Sequence, residues 1–481
     1  MARRTGRSPA KCLPERCRGD VKTFSSVRLG CPKNIIDSEV MEALLEERGW
    51  VLQSSSDYVD AILVNTCAFI DEAKEEAVDA ILHAVEMKKQ GRCGRVIVAG
   101  CLVQRYGPEL VRELPEVDLF VGTDEVGRIA RHVASLENEA GNAPRLAAEP
   151  PRFLMTAKHP RNTAGVGSSA YIKIAEGCSN HCSYCVIPAL RGPFRSRPVE
   201  DILEEAEDLA RNGVLELILV AQETTCYGSD QPDRPDLTRL LEEFAAIEKI
   251  RWLRVLYTHP RRLDEELFSV MASEKKICPY LDVPLQHIDD DILRAMNRRC
   301  DSRRIRRVLE QARESIPGVA LRTSLIVGFP GEDRSRFRML LDFVREIRFD
   351  HLGVFRYSRE ESTAAASMEK QVGKRTAESR RNIIMSEQAR ISGEINQARR
   401  GSVYDVLLEE PSDIPGYTHV GRTPFQAPEI DGVTYVDAPG ASTGTIIRCV
   451  ITDADTYDLF GSALSPEEQG AGMSETEMRH D

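Results

Sequence analysis

Apolar runs alternate with amphipathic stretches between residues 21 and 138. The apolar runs end at Leu29, Asn65, Gly100 and Val121, and helix-type patterns fill the intervals at 38–48, 71–90, 109–114 and 125–136. Strands that alternate with helices form a parallel sheet with helices packed on its faces. The pattern therefore predicts an N-terminal parallel α/β sandwich over residues 21–138.

The same alternation returns in the central part of the chain, residues 169–400. Candidate strands occupy 171–175, 215–221, 252–257, 280–283, 319–327 and 351–357, and amphipathic helices lie between them. Six such units are typical of a (β/α) barrel or part of one. We expect a partial (β/α)6 barrel, followed by a helix at 374–400 with seven basic and three acidic residues. Residues 139–168 show neither period and are predicted to be a linker.

The pattern changes after Gly401. Short β-type runs at 403–408, 418–420, 433–436 and 445–452 are separated by Pro, Gly and Asp, which predicts a small β-barrel or sandwich over 401–465. Residues 466–481 are predicted to be an acidic tail. Residues 1–20 are rich in arginine and lack an apolar segment, so we interpret them as a disordered or mis-annotated leader, with Val21 as the expected initiator.

The cysteine content adds an expectation about chemistry to this prediction of the fold. The 481 residues include 13 cysteines, an odd number on a chain long enough to build an apolar core without disulfides. This favours a reducing, cytoplasmic setting in which thiols act as ligands or catalysts. No apolar stretch approaches the roughly 20 residues that a membrane helix needs, so no membrane association is expected.

Three cysteines form a compact motif directly after the first central strand: Cys178, Cys182 and Cys185. Three thiolates on one loop can hold a 4Fe–4S cluster and leave the fourth iron open to a small molecule. The alternative is a structural zinc site with His181 or a distant residue as the fourth ligand.

Three further cysteines, Cys31, Cys67 and Cys101, each follow a predicted strand of the N-terminal sheet. Because the carboxyl ends of parallel strands meet at one edge of a sheet, these thiols could converge and hold a second cluster. The alternative is that each cysteine packs as a small apolar side chain.

The CxxxCxxC motif, with Tyr184 before its last cysteine and a βα array around it, resembles the radical S-adenosylmethionine superfamily. Segments 30–39 and 65–70 resemble the N-terminal domain of the methylthiotransferases, and the resemblance covers residues 21–461. It implies two 4Fe–4S clusters, a catalytic one on Cys178, Cys182 and Cys185 and an auxiliary one on the N-terminal cysteines. It also implies that S-adenosylmethionine binds the open iron and is cleaved there to a radical.

Polar residues and a glycine at the ends of other central strands match internal motifs of this family. The resemblance assigns contacts with S-adenosylmethionine or substrate to Gln222, Glu223, Gln286, His287, Ser324 and Gly328. For an isolated histidine such as His287, a structural role is the alternative.

The resemblance implies one of two substrates, the targets of the two main family branches: an adenosine of transfer RNA, or an aspartate β-carbon of small-subunit ribosomal protein twelve. The C-terminal domain resembles the TRAM domain that these enzymes use for substrate binding. Residues 402–461 contain ten acidic and two basic residues, whereas RNA binding depends on basic ones. We therefore expect the substrate to be the ribosomal protein, free or in the ribosome. The basic helix at 374–400 is a counter-signal, because basic residues favour contact with RNA.

The resemblance further implies a low-potential electron donor and a sulfur source as partners, and we expect a monomer. An alternative hypothesis outside the enzymes is that the chain is a non-enzymatic metal-binding or scaffold protein. Of the net charge of −12, residues 402–461 carry −8 and residues 462–481 carry −4, so the rest of the chain is neutral.

Overall fold

The computed structural model describes residues 21–53, 58–138, 144–163 and 167–465. The N-terminal part is a six-stranded parallel sheet in the order β2-β1-β3-β4-β5-β6. Its strands are β1 (Thr23–Arg28), β2 (Val51–Leu52), β3 (Val59–Thr66), β4 (Cys93–Gly100), β5 (Leu119–Val121) and β6 (Arg145–Ala147). Its helices are α1 (Pro32–Glu46), α2 (Asp71–Lys89), α3 (Cys101–Glu113) and α4 (Ile129–Asn138).

Two helices of this sheet begin earlier than the apolar pattern indicates. Helix α1 begins at Pro32, and α3 begins at Cys101 with a kink at Tyr106. The first turns of α1 bury Asn34 and Asp37, so burial there does not follow apolarity. Strand β6 lies within the segment predicted to be a linker and pairs with β5, so the described part of that segment is not structureless.

Six parallel strands form the central partial barrel. Sheets β11-β10-β7 and β12-β13-β14 adjoin through a parallel bridge between Leu253 and Ile277. The strands of this part are β7 (Ser169–Lys173), β8 (Ala175–Glu176), β9 (Arg195–Ser196), β10 (Glu216–Val220), β11 (Trp252–Val255), β12 (Tyr280–Asp282), β13 (Ala320–Val327) and β14 (His351–Arg356). Its helices are α5 (Ile187–Arg191), α6 (Val199–Arg211), α7 (Leu237–Ala245), α8 (Glu265–Ser273), α9 (Asp290–Ala295), α10 (Ser302–Ser315), α11 (Arg334–Ile347) and α12 (Lys374–Ala398).

The two faces of the barrel strands pack against different partners. Leu217 and Leu219 of β10 belong to the apolar cluster formed with the outer helices. Ile218 and Val220 belong to a second cluster that includes Phe24 of the N-terminal sheet and Phe425 of the C-terminal domain. The inner face of the barrel is therefore covered by the two flanking domains.

The C-terminal domain is a closed five-stranded barrel in the order β15-β16-β17-β19-β18. Its strands are β15 (Val403–Pro411), β16 (His419–Arg422), β17 (Thr434–Asp437), β18 (Ile446–Ala454) and β19 (Leu459–Ala463). Four neighbouring pairs are antiparallel and β17–β19 is parallel. Strands cannot alternate in direction around a closed ring with an odd number of members, so one parallel pair is required. The expected α/β fold class, including the small barrel, is confirmed, and β19 is an addition to the strands read from the sequence.

The leader 1–20 and the acidic tail 466–481 lie outside the described residues. None of the described helices has the length and apolarity needed to cross a membrane.

Candidate active site

The three N-terminal cysteines lie at the carboxyl edge of the parallel sheet, as their positions directly after predicted strands indicate. Cys31 precedes the first turn of α1, Cys67 follows β3, and Cys101 is the first residue of α3 after β4. Their thiols are close enough to influence one another electrostatically. We refer to them as the auxiliary triad.

Two glycines allow the strand ends of the auxiliary triad to approach. A Cβ on Gly30, which has a φ of +91°, would lie 2.8 Å from the Cβ of Cys67. A Cβ on Gly100, with a φ of +100°, would lie 2.4 Å from Oδ1 of Asn65. Both positions combine a backbone conformation that favours glycine with a close contact, so a side chain at either one would displace a cysteine-bearing segment.

Two buried asparagines connect the loops that carry the auxiliary triad. The Asn34 amide donates to the backbone carbonyl oxygens of Leu29 at 3.1 Å and Thr66 at 2.8 Å. The Asn65 amide donates to the carbonyl oxygen of Asn34 at 2.8 Å. These bonds join the ends of β1 and β3 to the start of α1, so the two asparagine side chains hold the cysteine-bearing loops together.

The central cysteines lie on a loop that is closed at its base by the antiparallel pair β8–β9. We refer to Cys178, Cys182 and Cys185 as the central triad. The N–H of Cys178 donates to the carbonyl oxygen of Gly192 at 3.1 Å, and the N–H of Ile187 points at Sγ of Cys185 at 3.5 Å. The Arg298 guanidinium lies 3.8 Å from Sγ of Cys182.

Burial determines the acidity of most of these thiols. It raises the pKa of Cys67 to about 12, of Cys178 to about 11 and of Cys185 to about 12. Burial also acts on Cys31, but the charges of Lys33 and Arg191 outweigh it and lower the pKa of that thiol. Since iron–sulfur clusters bind thiolates, cluster binding must release protons here.

A buried polar network connects the two domains next to the auxiliary triad. Arg191 lies six residues after Cys185, and its guanidinium contacts Sγ of Cys101 at 3.3 Å and the carboxylate of Asp37 at 2.6 Å. Asp37 also accepts from the Lys173 ammonium of β7, at 2.6 Å. The segment after the central triad therefore contacts a cysteine of the auxiliary triad through a single side chain.

The network extends to Gln222, one of the residues predicted to contact the cofactor. Its amide donates to Glu176 at 2.6 Å, and Glu176 also pairs with Lys173 at 2.9 Å. Glu223 accepts from Asn180, which lies between the first two cysteines of the central triad, and pairs with Arg262 at 3.2 Å. Both predicted residues thus lie beside the central cysteine loop, and their direct contact with S-adenosylmethionine stays a prediction.

The other predicted contact residues lie on β13 and on the loops that follow β12 and β13. Gln286, with a φ of +73°, donates its backbone N–H to the carbonyl oxygen of Ser324 at 2.9 Å. His287 is fully buried, and its Nδ1 accepts from the N–H of Asp289 at 3.0 Å. Burial, with Arg336 and Arg380 nearby, lowers the pKa of His287 to about 3.

Packing explains why position 328 is a glycine, which the sequence alone did not show. A Cβ at this position, where φ is +78°, would lie 2.5 Å from the Cβ of Ala377 in α12. Its N–H donates to the carboxylate of Glu332 at 2.6 Å. Packing against α12 therefore accounts for the glycine, and an S-adenosylmethionine contact there also stays a prediction.

Each triad supplies three cysteine thiols, the ligand type of a 4Fe–4S cluster. Within the described residues, no group of three or more His, Cys, Asp or Glu side chains is placed to hold one metal ion. A 4Fe–4S cube carries its ligands on separate irons, so three thiols need not converge on one point. Thiolates near N–H and guanidinium donors are the environment that such clusters prefer.

Sequence reasoning did not assign Arg191, Lys173 or Arg298 to the site. Lys173 was detectable in principle, because a lysine inside the apolar run of a buried strand is rare unless it is paired. Arg191 and Arg298 gave no local signal, since their partners are 90 and 116 residues away in the chain.

Three family models match the chain in succession. The uncharacterized protein family UPF0004 matches residues 23–122, the radical SAM superfamily matches residues 172–344, and the TRAM domain matches residues 401–464.

Solved structures similar to this one show the fold. A radical S-adenosylmethionine methyltransferase, TsrM from Kitasatospora setae, aligns with a TM-score of 0.51 at 15% identity, over 70% of this chain and 75% of that one. Together with the match to the radical SAM superfamily model, this fold places the chain in the class of radical S-adenosylmethionine enzymes.

Curated relatives specify the family. The ribosomal protein uS12 methylthiotransferase RimO of Syntrophus aciditrophicus is 55% identical over 442 residues, which cover 91% of this chain and 98% of that protein. The protein of the same name from Trichlorobacter lovleyi is 47% identical over 440 residues, or 92% of this chain and 98% of that protein. The chain belongs to the family of RimO methylthiotransferases, radical enzymes that use S-adenosylmethionine and 4Fe–4S clusters.

Proposed function

We propose that this chain transfers a methylthio group to the β-carbon of an aspartate in ribosomal protein uS12, using two S-adenosylmethionine molecules and two 4Fe–4S clusters. The observation that carries the proposal is the contact of Arg191 with Cys101. Through it, the segment after the central triad lies against the auxiliary triad, so both cysteine sites belong to one interdomain site. This arrangement suits a reaction in which a hydrogen atom leaves a carbon and a sulfur group then joins it.

When bound, the clusters supply the electron that cleaves S-adenosylmethionine and the place from which sulfur is delivered. The chain's own residues hold and orient these sites. The β8–β9 pair and the contact of Cys178 with Gly192 hold the central loop. Asn34 and Asn65 hold the auxiliary strand ends.

The acidic C-terminal barrel supports a basic protein as substrate. Arg422, one of its two basic residues, is buried and pairs with Glu216 of β10 at 2.5 Å and Glu409 at 2.6 Å. Arg448 is thus the basic residue left on an otherwise acidic surface. Such a surface attracts a basic ribosomal protein and repels a phosphate backbone. The ribosomal substrate implies a cytoplasmic enzyme, and a monomer, a low-potential electron donor and a sulfur source complete the proposal.

The basic segment 374–400, which contains α12 and was a counter-signal in the sequence, is largely neutralised. Five of its seven basic residues pair with carboxylates: Arg380, Arg381, Arg390, Arg399 and Arg400. A segment with paired charges has little capacity to bind phosphates, so it gives the transfer-RNA alternative little support.

Mass spectrometry of uS12 tests the proposal. We expect intact uS12 to be heavier by one methylthio group in cells that contain this gene than in cells that lack it. Unchanged uS12 together with altered methylthio-adenosine in transfer RNA would contradict the proposal and support the alternative.

Cysteine variants test the two triads separately in the anaerobically reconstituted full chain. Cys182→Ala should abolish cleavage of S-adenosylmethionine. Cys31→Ala should leave that cleavage and abolish methylthio transfer. The matched control is Cys93→Ala, since Cys93 begins the same strand whose far end leads to Cys101. Equal iron content in Cys31→Ala and Cys93→Ala would contradict an auxiliary cluster.

A further inference from the structure

Lys33 is a buried cation beside the auxiliary triad. It lies in the first turn of α1, two residues after Cys31, and only 7% of the residue is exposed. Its ammonium lies 3.4 Å from the centre of the Tyr257 ring. Tyr257 follows β11 of the central barrel, and its N–H donates to Asp282 at 2.8 Å. Lys33 therefore extends from the N-terminal sheet to the carboxyl rim of the barrel.

Lys33 has no carboxylate partner among the residues that the structure describes. The other buried lysine, Lys173, pairs with Asp37 at 2.6 Å and Glu176 at 2.9 Å. Burying an ammonium is costly unless an opposite charge accompanies it, and an aromatic ring compensates only in part. A lysine in this environment is suited to bind an anionic group of a ligand.

The position of Lys33 indicates which anion arrives. Lys33 is in the first turn of α1, two residues after Cys31, which places the lysine beside the auxiliary triad on one side. On the other side Tyr257 places it at the barrel rim, where enzymes of this architecture bind their substrates. A substrate that receives sulfur from the auxiliary triad must bring its reacting carbon into this interdomain space.

We propose that Lys33 binds the side-chain carboxylate of the substrate aspartate and makes the enzyme specific for aspartate over neutral residues. This inference rests on the proposed function. The β-carbon is directly bonded to the carboxyl carbon, so an ion pair with Lys33 holds the reacting carbon next to the auxiliary triad. A charge-assisted hydrogen bond in a desolvated site gives the strong discrimination that a neutral amide cannot match.

The test compares binding of two forms of the substrate. Full-length reconstituted protein is titrated with purified uS12, and separately with small subunits that contain it, carrying either the target aspartate or asparagine in its place. We expect the native protein to bind the aspartate form at least about 10-fold more tightly. Lys33→Met should reduce this ratio to near one, and Lys33→Arg should restore most of it.

The matched control is Lys22→Met. Lys22 also lies over an aromatic ring, that of Trp50 at 5.5 Å, but at the opposite end of β1 from Cys31. Its replacement should leave the ratio unchanged. Iron content and the electron paramagnetic resonance spectrum should be the same in all four proteins, and cleavage of S-adenosylmethionine without substrate should be unchanged in Lys22→Met.

Three results would overturn the inference. Retained discrimination in Lys33→Met shows that another group reads the carboxylate. Altered iron content or an altered cluster spectrum shows that Lys33 balances the auxiliary thiolates instead. Failure of the native protein to bind either form of uS12, alone or in the subunit, refutes the proposed function itself, whereas the first two results leave it intact.

Discussion

Gly100 has a backbone conformation, φ +100° and ψ −156°, that is essentially restricted to glycine. A Cβ there would also lie 2.4 Å from Asn65 and 2.6 Å from the carbonyl oxygen of Thr66. We expect Gly100→Ala to lower the free energy of unfolding by about 3 kcal/mol or more and to reduce iron bound by the auxiliary triad. Chemical denaturation and iron analysis measure the two effects.

Gly91→Ala is the control for the conformational part of this effect. Gly91 also has a positive φ, +73°, but nothing lies within 4 Å of the Cβ it would gain. Its replacement should cost about 1 kcal/mol and leave iron content unchanged. Equal losses for the two variants would show that close packing at the auxiliary triad contributes nothing.

Glu332 links stability to pH. Burial raises its pKa from 4.5 to about 7, against the opposing effects of Arg380 at 2.9 Å and of backbone N–H groups. Between these pH values the folded protein keeps a proton that the unfolded chain has released, so stability falls as the pH rises. Relative to Glu332→Gln, the native protein should lose up to about 3 kcal/mol between pH 4 and 8.

Denaturation of both proteins across this range measures the difference, and the contribution of His287 cancels in the comparison. The control is Glu369→Gln, an exposed substitution on the loop after β14. This variant keeps Glu332, so its stability should follow that of the native protein across the same pH range. If the native protein instead became more stable relative to Glu332→Gln as the pH rises, a raised pKa for Glu332 would be contradicted.

At the scale of elements, the loop after β14 connects the N-terminal sheet with the central cysteine loop. Glu360 of this loop pairs with Lys74 at 2.9 Å and Arg105 at 2.5 Å, and its side chain is 2% exposed. The N–H of Ala365 donates to the carbonyl oxygen of Ser183, between two cysteines of the central triad. The loop therefore fixes how the two cysteine sites face one another.

Glu360→Gln should loosen this connection. Removing one partner of a buried ion pair leaves uncompensated charge, with an expected loss of about 3 kcal/mol. Hydrogen–deuterium exchange should increase in residues 68–74 and 358–368, while the C-terminal barrel is unaffected. The control is Glu361→Gln, whose exposed side chain lies next in the chain. The same exchange pattern in both variants would contradict a role for the ion pairs.

The elements that the sequence predicted are those whose burial follows apolarity. The six barrel strands and most helices have such patterns. The early start of α1 was not predictable, because its first turns bury polar residues such as Asn34, which binds the neighbouring strand ends. Helix α3 buries Cys101, Leu102 and Val103 directly after β4, so its first turn continues the apolar run of the strand and has no separate helical pattern. Strand β19 contains Gly461, which weakens the strand signal, yet a Cβ there would lie 2.7 Å from the carbonyl oxygen of Val450 in β18. The close approach of β18 and β19 requires glycine at this position, and the same glycine weakens the strand pattern in the sequence.

At the scale of the whole molecule, the sequence grouped the central cysteines by their spacing and the N-terminal cysteines by their positions after strands, but it did not predict how the domains meet. Arg191 joins the central segment to Asp37 of α1, and Arg422 joins the C-terminal barrel to Glu216 of β10. These partners are 154 and 206 residues apart in the chain. Such pairs depend on the completed fold, and neither partner has a local pattern that identifies the other.

The acidic C-terminal barrel should guide the whole enzyme to its basic substrate. One end of this barrel exposes Glu410, Asp413 and Asp437. Replacing all three by their amides should slow association with uS12 about 3- to 10-fold at low salt, because opposite charges accelerate encounter. The difference should disappear as salt screens the surface. Stopped-flow association at several salt concentrations measures it, with the amide variant of exposed Glu75, Glu76 and Asp79 on α2 as the control of equal net charge. Equal rates for both triple variants would show that net charge, rather than its position on the C-terminal barrel, determines association.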